Sequence, residues 1–172
     1  MLKDLDNLEV LHRNRIDSRA YFIPYDNKNS ASTFVRGKSK SFKLLNGTWK
    51  FFYSDYPAQS PDSFYEQSCD ISGWDDITVP GSWQLQGYGY PHYTDLIYPF
   101  PIDPPKVSSK NPTGCYRRSF TVPQNWLDKR IILRLEGVDS GFHLWINGSF
   151  VGYSQGSRMP SEFDITELIH ID

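Results

Sequence analysis

Alternating apolar residues predict a buried strand near the first third of the chain. After a turn at Asn46-Gly47, the aromatic residues Trp49, Phe51 and Tyr53 occupy every second position. Side chains at alternate positions of a strand lie on the same face of the sheet. The pattern therefore predicts that residues 44–53 turn and then form a first strand with an aromatic inner face.

Three later segments show similar but shorter patterns. Residues 77–80 form an apolar run that ends at Pro80, and residues 115–122 have a mixed strand pattern. Ile131, Leu133 and Leu135 then alternate through residues 130–136. Because proline stops strand pairing and alternation leaves one face apolar, we expect short strands with one face in the core.

The strongest local signal is a hairpin. Asn147-Gly148-Ser149 separates two apolar runs, residues 141–146 and 150–153. An Asn-Gly pair suits the positive backbone angles of a tight hairpin turn. Residues 161–169 follow, and the spacing of Asp164 and Glu167 resembles a helix cap, so we expect a short helix there.

These elements predict an all-β fold. Roughly six short strands, without βαβ alternation or a long amphipathic helix, are typical of an antiparallel β-sandwich or jelly roll. Residues 1–41 are polar and weakly periodic, which predicts an extended N-terminal arm, and residues 42–172 form the sandwich. Strands that would close the sandwich edges are missing after Asp172, so we expect a fragment of a longer polypeptide.

Charge and composition exclude several function classes. With 172 residues and 38% hydrophobic content, the chain has the size of a single domain with a sizeable core. Its net charge of −2 is distributed without a basic stripe, so we expect no nucleic-acid partner. We interpret one small basic cluster as a solvated loop; it comprises Arg36, Lys38, Lys40 and Lys43.

The sequence was also searched for targeting signals and for cysteine patterns that indicate disulfides or metal sites. The first residues lack the apolar core of a signal peptide and no run has membrane-spanning length, so we expect no membrane partner and a cytoplasmic location. Cys69 and Cys115 are too few for a disulfide scaffold and match no ligand spacing, which favours free thiols.

No catalytic or metal constellation is apparent. Asp75 and Asp76 are adjacent, so a strand would place them on opposite faces rather than across a scissile bond. A Gly-x-Ser-x-Gly elbow is absent, and His92 and His143 show no metal-ligand spacing. We therefore predict that the chain contains neither catalytic nor metal-ligating residues.

The segment Gly81–Pro105 is the best candidate for a binding loop. It combines aromatic residues, amides and carboxylates with repeated glycine and proline, so it follows a long irregular path. Two interpretations stay open on composition alone. The aromatic side chains could fill a small hydrophobic cluster under the loop, or they could present flat faces to a sugar.

Several motifs follow one another in order along the chain. They are Asn111-Pro-Thr-Gly-Cys-Tyr116, Tyr93-Thr-Asp95 and residues 83–88, 91–94, 98–99, 103–105, 142–148 and 151–164. Together they resemble the N-terminal sugar-binding domain of family 2 glycoside hydrolase β-galactosidases, from about Leu44 to Ile165. Other family 2 activities, such as β-glucuronidase and β-mannosidase, share the sandwich, but the first two motifs favour the galactosidase branch.

The resemblance implies a galactose-binding-like jelly roll at the start of a large retaining β-galactosidase. In that family the catalytic glutamates and a magnesium ion belong to a later barrel domain, and sodium is also bound, so we expect no cofactor in this chain. A family asparagine and the next apolar residue contact galactose; here these positions are Asp95 and Leu96. Trp83, Tyr93 and Tyr98 are then expected to brace the loop.

The family's N-terminal arm usually assists subunit association, which makes residues 1–41 a candidate interface of a homo-oligomer. Three hypotheses follow for the chain. It completes the galactoside site of a β-galactosidase without catalysing hydrolysis itself, it is a self-sufficient carbohydrate-binding module, or it is a subunit-assembly domain.

Overall fold

The computed structural model describes residues 4–95 and 98–170. Within these residues, none of the helices combines the length and the apolar character needed to span a bilayer. The strands are β1 (His12–Arg13), β2 (Gly47–Ser54), β3 (Asp75–Val79), β4 (Thr113–Arg117), β5 (Ile132–Leu135), β6 (Gly141–Ile146), β7 (Ser149–Gln155) and β8 (Ser161–Asp164). The helical elements are α1 (Lys28–Ala31) and the 3₁₀ helices Arg36–Lys38, Pro57–Gln59, Trp83–Gln86, Gln124–Trp126 and Thr166–Leu168.

The strands form three small sheets with antiparallel pairing throughout the described residues. Their orders are β1-β7-β6, β3-β2-β4 and β5-β8. The predicted fold class, an all-β antiparallel sandwich, is confirmed. The boundary at residue 41 between arm and sandwich stays a prediction.

The tail prediction was only partly right. Residues 161–164 form β8, which pairs with β5, and only Thr166–Leu168 is helical, as a 3₁₀ turn. The Asp164 carboxylate does accept hydrogen bonds from the backbone N–H and the hydroxyl of Thr166. The N-cap of this turn is Ile165, which forms no side-chain capping bond, so the predicted cap was wrong. The residues before it are extended because β5 supplies their hydrogen-bond partners.

The predicted hairpin is confirmed. Asn147 and Gly148 have φ angles of 51° and 81°, the left-handed values that a two-residue hairpin turn requires. Ile146 and Ser149 pair directly across the turn. Asparagine and glycine tolerate this backbone region better than other residues, so the turn fixes the register of β6 and β7.

The main core lies between the β6-β7 and β5-β8 strand pairs. Four buried residues form its centre, and partly buried apolar side chains from β5, β6 and residues 120–126 and 168–169 pack around them. Burying such side chains contributes roughly 1.5–3 kcal/mol each. The central residues are Ile131, Val151, Phe163 and Ile165. The sandwich is therefore stabilised by the alternate apolar positions that the sequence displays.

The N-terminal arm is bound to the sandwich along the edge of β7. β1 pairs with β7, and beyond it the side-chain amide of Asn14 donates to the carbonyl of Val151 at 2.9 Å. The backbone N–H of Ile16 donates to the carbonyl of Glu162 at 2.8 Å. Val151 lies in β7 and Glu162 in β8, so the arm extends the sheet of β7 and also covers part of the edge of β8.

A buried carboxylate fixes the arm further along. The Glu162 side chain is only 7% exposed and accepts two hydrogen bonds from Arg19, at 2.7 and 3.2 Å, and one from Arg134 at 3.1 Å. The Arg134 guanidinium also lies 4.0 Å from the centre of the Tyr21 ring. Removing one partner of such a buried group would leave an uncompensated charge, so arm and sheet depend on each other.

A second cluster holds the start of the described chain against β6. The Asp4 carboxylate accepts a hydrogen bond from Arg13 at 2.7 Å and one from Nε2 of His143 at 3.2 Å. The imidazole also packs on the ring of Tyr153, with 4.7 Å between ring centres. His143, which the sequence left without a role, therefore joins the arm to the sandwich.

Replacing Gly152 with alanine should destabilise the fold. An added Cβ would meet the carbonyl oxygen of Arg13 and would lie 2.6 Å from Cε1 of Phe163, which is fully buried. Overpacking of this kind costs typically about 1–3 kcal/mol. Urea denaturation should show this loss for Gly152→Ala, whereas Gly73→Ala, with nothing within 4 Å of its added Cβ, should change the free energy of unfolding little.

The His143 cluster predicts a specific pH dependence. Burial lowers the pKa of His143 below its ordinary value of 6.5, while the Asp4 carboxylate partly opposes this. The unfolded state then binds more protons, so the stability present above the unfolded-state pKa of about 6.5 is lost as the pH falls from there through the lower pKa of the folded state. An NMR titration should place the pKa of His143 below 6.5, and lower still in Asp4→Asn. Asp6→Asn, a neighbouring exposed change, should leave it unaltered; a His143 pKa at or above 6.5 would contradict the interpretation.

Candidate functional site

The first half of the loop Gly81–Pro105 is anchored on one face of β2. Trp83 packs against Phe51 and Tyr53, with ring centres 6.0 and 5.7 Å apart. Tyr88 lies edge-on to Phe51 at 4.8 Å, and its hydroxyl donates to the Asp75 carboxylate at 2.9 Å. Edge-to-face aromatic pairs add stability beyond their buried area, so this part of the loop has a rigid base.

A side-chain amide fastens the same segment to β3. The Gln86 carbonyl oxygen accepts from the backbone N–H of Thr78 at 2.8 Å, and its NH₂ group donates to the Thr78 carbonyl at 3.1 Å. β3 is the edge strand of its sheet, so the amide takes the place of a neighbouring strand. Gln86 therefore has a structural role, and its amide is already occupied by the protein.

The phenols at the base of the loop are neutral hydrogen-bonding groups. Burial, with a further contribution from the Asp75 carboxylate, raises the pKa of Tyr88. Burial and the Asp55 carboxylate raise the pKa of Tyr53 in the same way, and burial raises the pKa of Tyr116 to about 12. These groups therefore keep their protons at neutral pH and cannot act as general bases there.

The described residues in the second half of the loop, 93–95 and 98–105, are exposed. The Asp95 side chain is exposed, and the hydroxyl of Tyr93 lies 3.5 Å from its Oδ2 atom. Its carboxylate thus has capacity to accept further hydrogen bonds. Several large apolar side chains beside it are also exposed by half or more: Tyr90, Tyr93, Tyr98, Phe100 and Ile102.

The structure separates the residues that the sequence grouped together. Trp83 packs in the base of the loop, whereas Tyr93 and Tyr98 are 85% and 66% exposed. Leu96 lies outside the described residues. The proposed sugar contacts of Asp95 and Leu96, and the bracing by Trp83, Tyr93 and Tyr98, stay predictions.

The sequence missed the structural use of Gln86 and Asp75. The two adjacent acids do serve opposite faces of β3, as predicted, because Asp75 binds Tyr88 while Asp76 forms a salt bridge with Lys50. The proline that follows β3 marked the end of the strand but gave no sign of the amide that pairs with its edge. Only the fold brings residues 78 and 86 together.

The exposed groups of the loop can form hydrogen bonds and stacking contacts. They are aromatic faces, hydroxyls and the carboxylates of Asp95 and Asp103, which suit a hydroxyl-rich ligand. Among residues 4–95 and 98–170, no group of three or more histidine, cysteine, aspartate or glutamate side chains is arranged to hold a metal ion.

Comparison with known proteins identifies relatives that share nearly all of the chain. It is 42% identical over 165 residues to a β-galactosidase of Psychromonas ingrahamii, covering 95% of this chain and 16% of that protein. It is also 42% identical over 169 residues to a β-galactosidase of Alteromonas mediterranea, covering 96% and 16% of the two chains. The chain thus spans about one sixth of the length of these curated relatives.

A solved structure and a family model also match this chain. A calcium-binding mutant of Bacteroides uniformis β-glucuronidase 2 is similar with a TM-score of 0.56 and 28% identity, over 76% of this chain and 13% of that one. Residues 42–171 match the family model described as glycosyl hydrolases family 2, sugar binding domain. The chain therefore belongs to the sugar-binding domain family of the family 2 glycosyl hydrolases.

Proposed function

We propose that the chain is the sugar-binding domain of a β-galactosidase that hydrolyses terminal β-D-galactosides, such as lactose, with retention of configuration. The observation that carries the proposal is the 42% identity to two proteins named β-galactosidase over 95% and 96% of this chain. In this proposal the rest of the full-length enzyme supplies the catalytic glutamates and binds magnesium and sodium. The residues of this chain shape the substrate site.

The loop would contribute through its exposed half. Its base is fixed by Trp83 and by the Gln86 amide, while the Asp95 carboxylate is accessible. Carboxylate oxygens accept hydrogen bonds from sugar hydroxyls, and an apolar neighbour such as Leu96 suits the apolar face of galactose. A rigid base reduces the conformational entropy that the exposed half loses on binding.

We further propose that the full-length enzyme is a cytoplasmic homo-oligomer and that the arm contributes to its interface. Residues near β1 already bind the sandwich of the same chain. Phe34 and Val35, further along the arm, are 90% and 51% exposed. Such exposed apolar side chains are suited to contact another subunit.

The chain by itself should not hydrolyse galactosides, because the proposal assigns the pair of catalytic carboxyl groups to the rest of the full-length enzyme. Incubating the purified chain with o-nitrophenyl β-galactoside should release no nitrophenol above a heat-denatured control. Calorimetry with galactose should detect no binding of millimolar affinity or tighter. Turnover would contradict the division of roles proposed here, and millimolar binding would favour a self-sufficient carbohydrate-binding module.

Replacing Asp95 in the proposed full-length enzyme tests the sugar contact. A hydrogen bond to a charged group is worth about 1.5–3 kcal/mol, so Asp95→Ala should lower kcat/KM for galactosides by roughly ten- to a hundredfold. Asp95→Asn keeps a carbonyl acceptor and should lower it less. Asp103→Ala, which removes another exposed acid of the loop, is the matched control. Unchanged kinetics for Asp95→Ala would show that this residue does not contact the substrate.

A further inference from the structure

We infer that a basic groove on the β3-β2-β4 sheet binds an oxyanion, a sulfate, phosphate or carboxylate group. The groove has a volume of about 330 Å³ and lies between β2, β4 and the loop that contains Ile71. None of its lining residues belongs to the sugar loop, and the inference is independent of the function proposed above. The lining residues that matter here are Thr48, Trp49, Lys50, Asp76, Arg117 and Arg118.

The groove carries an uncompensated positive charge. Lys50 forms a salt bridge with Asp76 at 2.9 Å, which leaves the two guanidinium groups of Arg117 and Arg118. Neither guanidinium forms a salt bridge with any carboxylate among the described residues. In contrast, six arginines elsewhere in the described residues do form salt bridges with acids: Arg13, Arg19, Arg36, Arg130, Arg134 and Arg158.

Backbone carbonyls hold both guanidinium groups in place. Arg117 donates to the carbonyls of Gln67 and Cys69 at 3.0 and 3.3 Å. Arg118 donates to the carbonyls of Asn46 and Thr48 at 3.0 and 3.3 Å. Carbonyls are neutral, so they orient the two groups without cancelling their charge. Each guanidinium has more N–H donors than these contacts use, and its fork geometry matches an oxyanion.

A second groove on the protein lacks this excess of positive charge. A cavity of about 630 Å³ at the end of the β5-β8 sheet is lined by two basic residues, Lys129 and Arg130, and by three acids. Arg130 pairs there with Asp164 at 2.7 Å. The chain as a whole has a net charge of −2. The basic groove is therefore a local positive site with fixed donors, which is the arrangement that anion binding requires.

The oxyanion could be free or attached to a saccharide. Trp49 lines the groove, and its ring lies 5.9 Å from the guanidinium carbon of Arg118. A flat aromatic ring beside a cation suits a sugar that carries a sulfate or carboxylate group. A free anion and an anionic saccharide would be recognised through the same contacts to the oxyanion. A comparison of their affinities for the groove therefore distinguishes them.

Titration of the chain with inorganic sulfate, inorganic phosphate, galactose 6-sulfate and neutral galactose tests the site. Calorimetry at constant ionic strength should show saturable binding of the anions. Amide chemical-shift changes in ¹⁵N spectra should be concentrated at residues 48–50 and 117–118. Affinity for galactose 6-sulfate at least tenfold above that for sulfate would identify a saccharide-borne anion, and equal affinity would identify a free one; both support the site.

A charge introduced into the groove provides the matched comparison. The Thr48 side chain is exposed and forms none of the hydrogen bonds found among the described residues, so Thr48→Glu adds a negative charge without removing one. It should weaken anion binding by about tenfold or more through like-charge repulsion. Ser149→Glu, at the exposed start of β7, adds the same charge elsewhere and should leave binding unchanged.

Arg118→Gln gives a second measurement, since it removes one cation and should also weaken binding about tenfold. Near-ultraviolet circular dichroism checks that each variant is folded. The inference is overturned if no anion binds saturably to the wild-type chain, if the shift changes in the wild-type chain map to another surface, or if both groove variants bind like Ser149→Glu.

Discussion

The unpaired edges of three small sheets are the constraint on which the rest of the structure depends. A sheet of two or three strands leaves backbone donors and acceptors at both sides, and water or protein must satisfy them. The arm satisfies the edge of β7 through β1 and part of the edge of β8 through the bond from Ile16 to Glu162. The Gln86 amide satisfies part of another at Thr78. Segments that look irregular in sequence are thus ordered because strand edges give them hydrogen-bond partners.

The same constraint divides the candidate sugar loop into two parts. Residues near Trp83 are held by the edge of β3 and by the aromatic face of β2, whereas Tyr93 and Asp95 extend beyond both. A binding loop needs this division, because the exposed part presents its side chains while the fixed part limits the entropy lost on binding. The part of the loop fixed near Trp83 thus positions the Asp95 carboxylate, although Asp95 lies in no helix or strand.

The sequence predicted those features whose cause is local. The aromatic alternation around Phe51 and the Asn147-Gly148 turn each depend on neighbouring residues, and both predictions agree with the structure. β1 and β8 were missed because their conformation depends on partners distant in sequence, β7 and β5. The use of the Gln86 amide was missed for the same reason. The basic groove could not be predicted either, since arginines in a strand pattern do not reveal whether acids or carbonyls will face them.

The β3-β2-β4 sheet also separates one side of the basic groove from the base of the loop. Asp75 binds Tyr88 under the loop, while its neighbour Asp76 binds Lys50 in the basic groove. Because adjacent residues of a strand point to opposite faces, the sheet lies between the base of the loop and this salt bridge. Trp49, which also lines the groove, lies on the same face of β2 as Phe51, the residue that supports Trp83. An anion near Lys50 would therefore act on the loop through the backbone of β2, whereas an anion that contacts Trp49 would act through the aromatic face on which the loop packs.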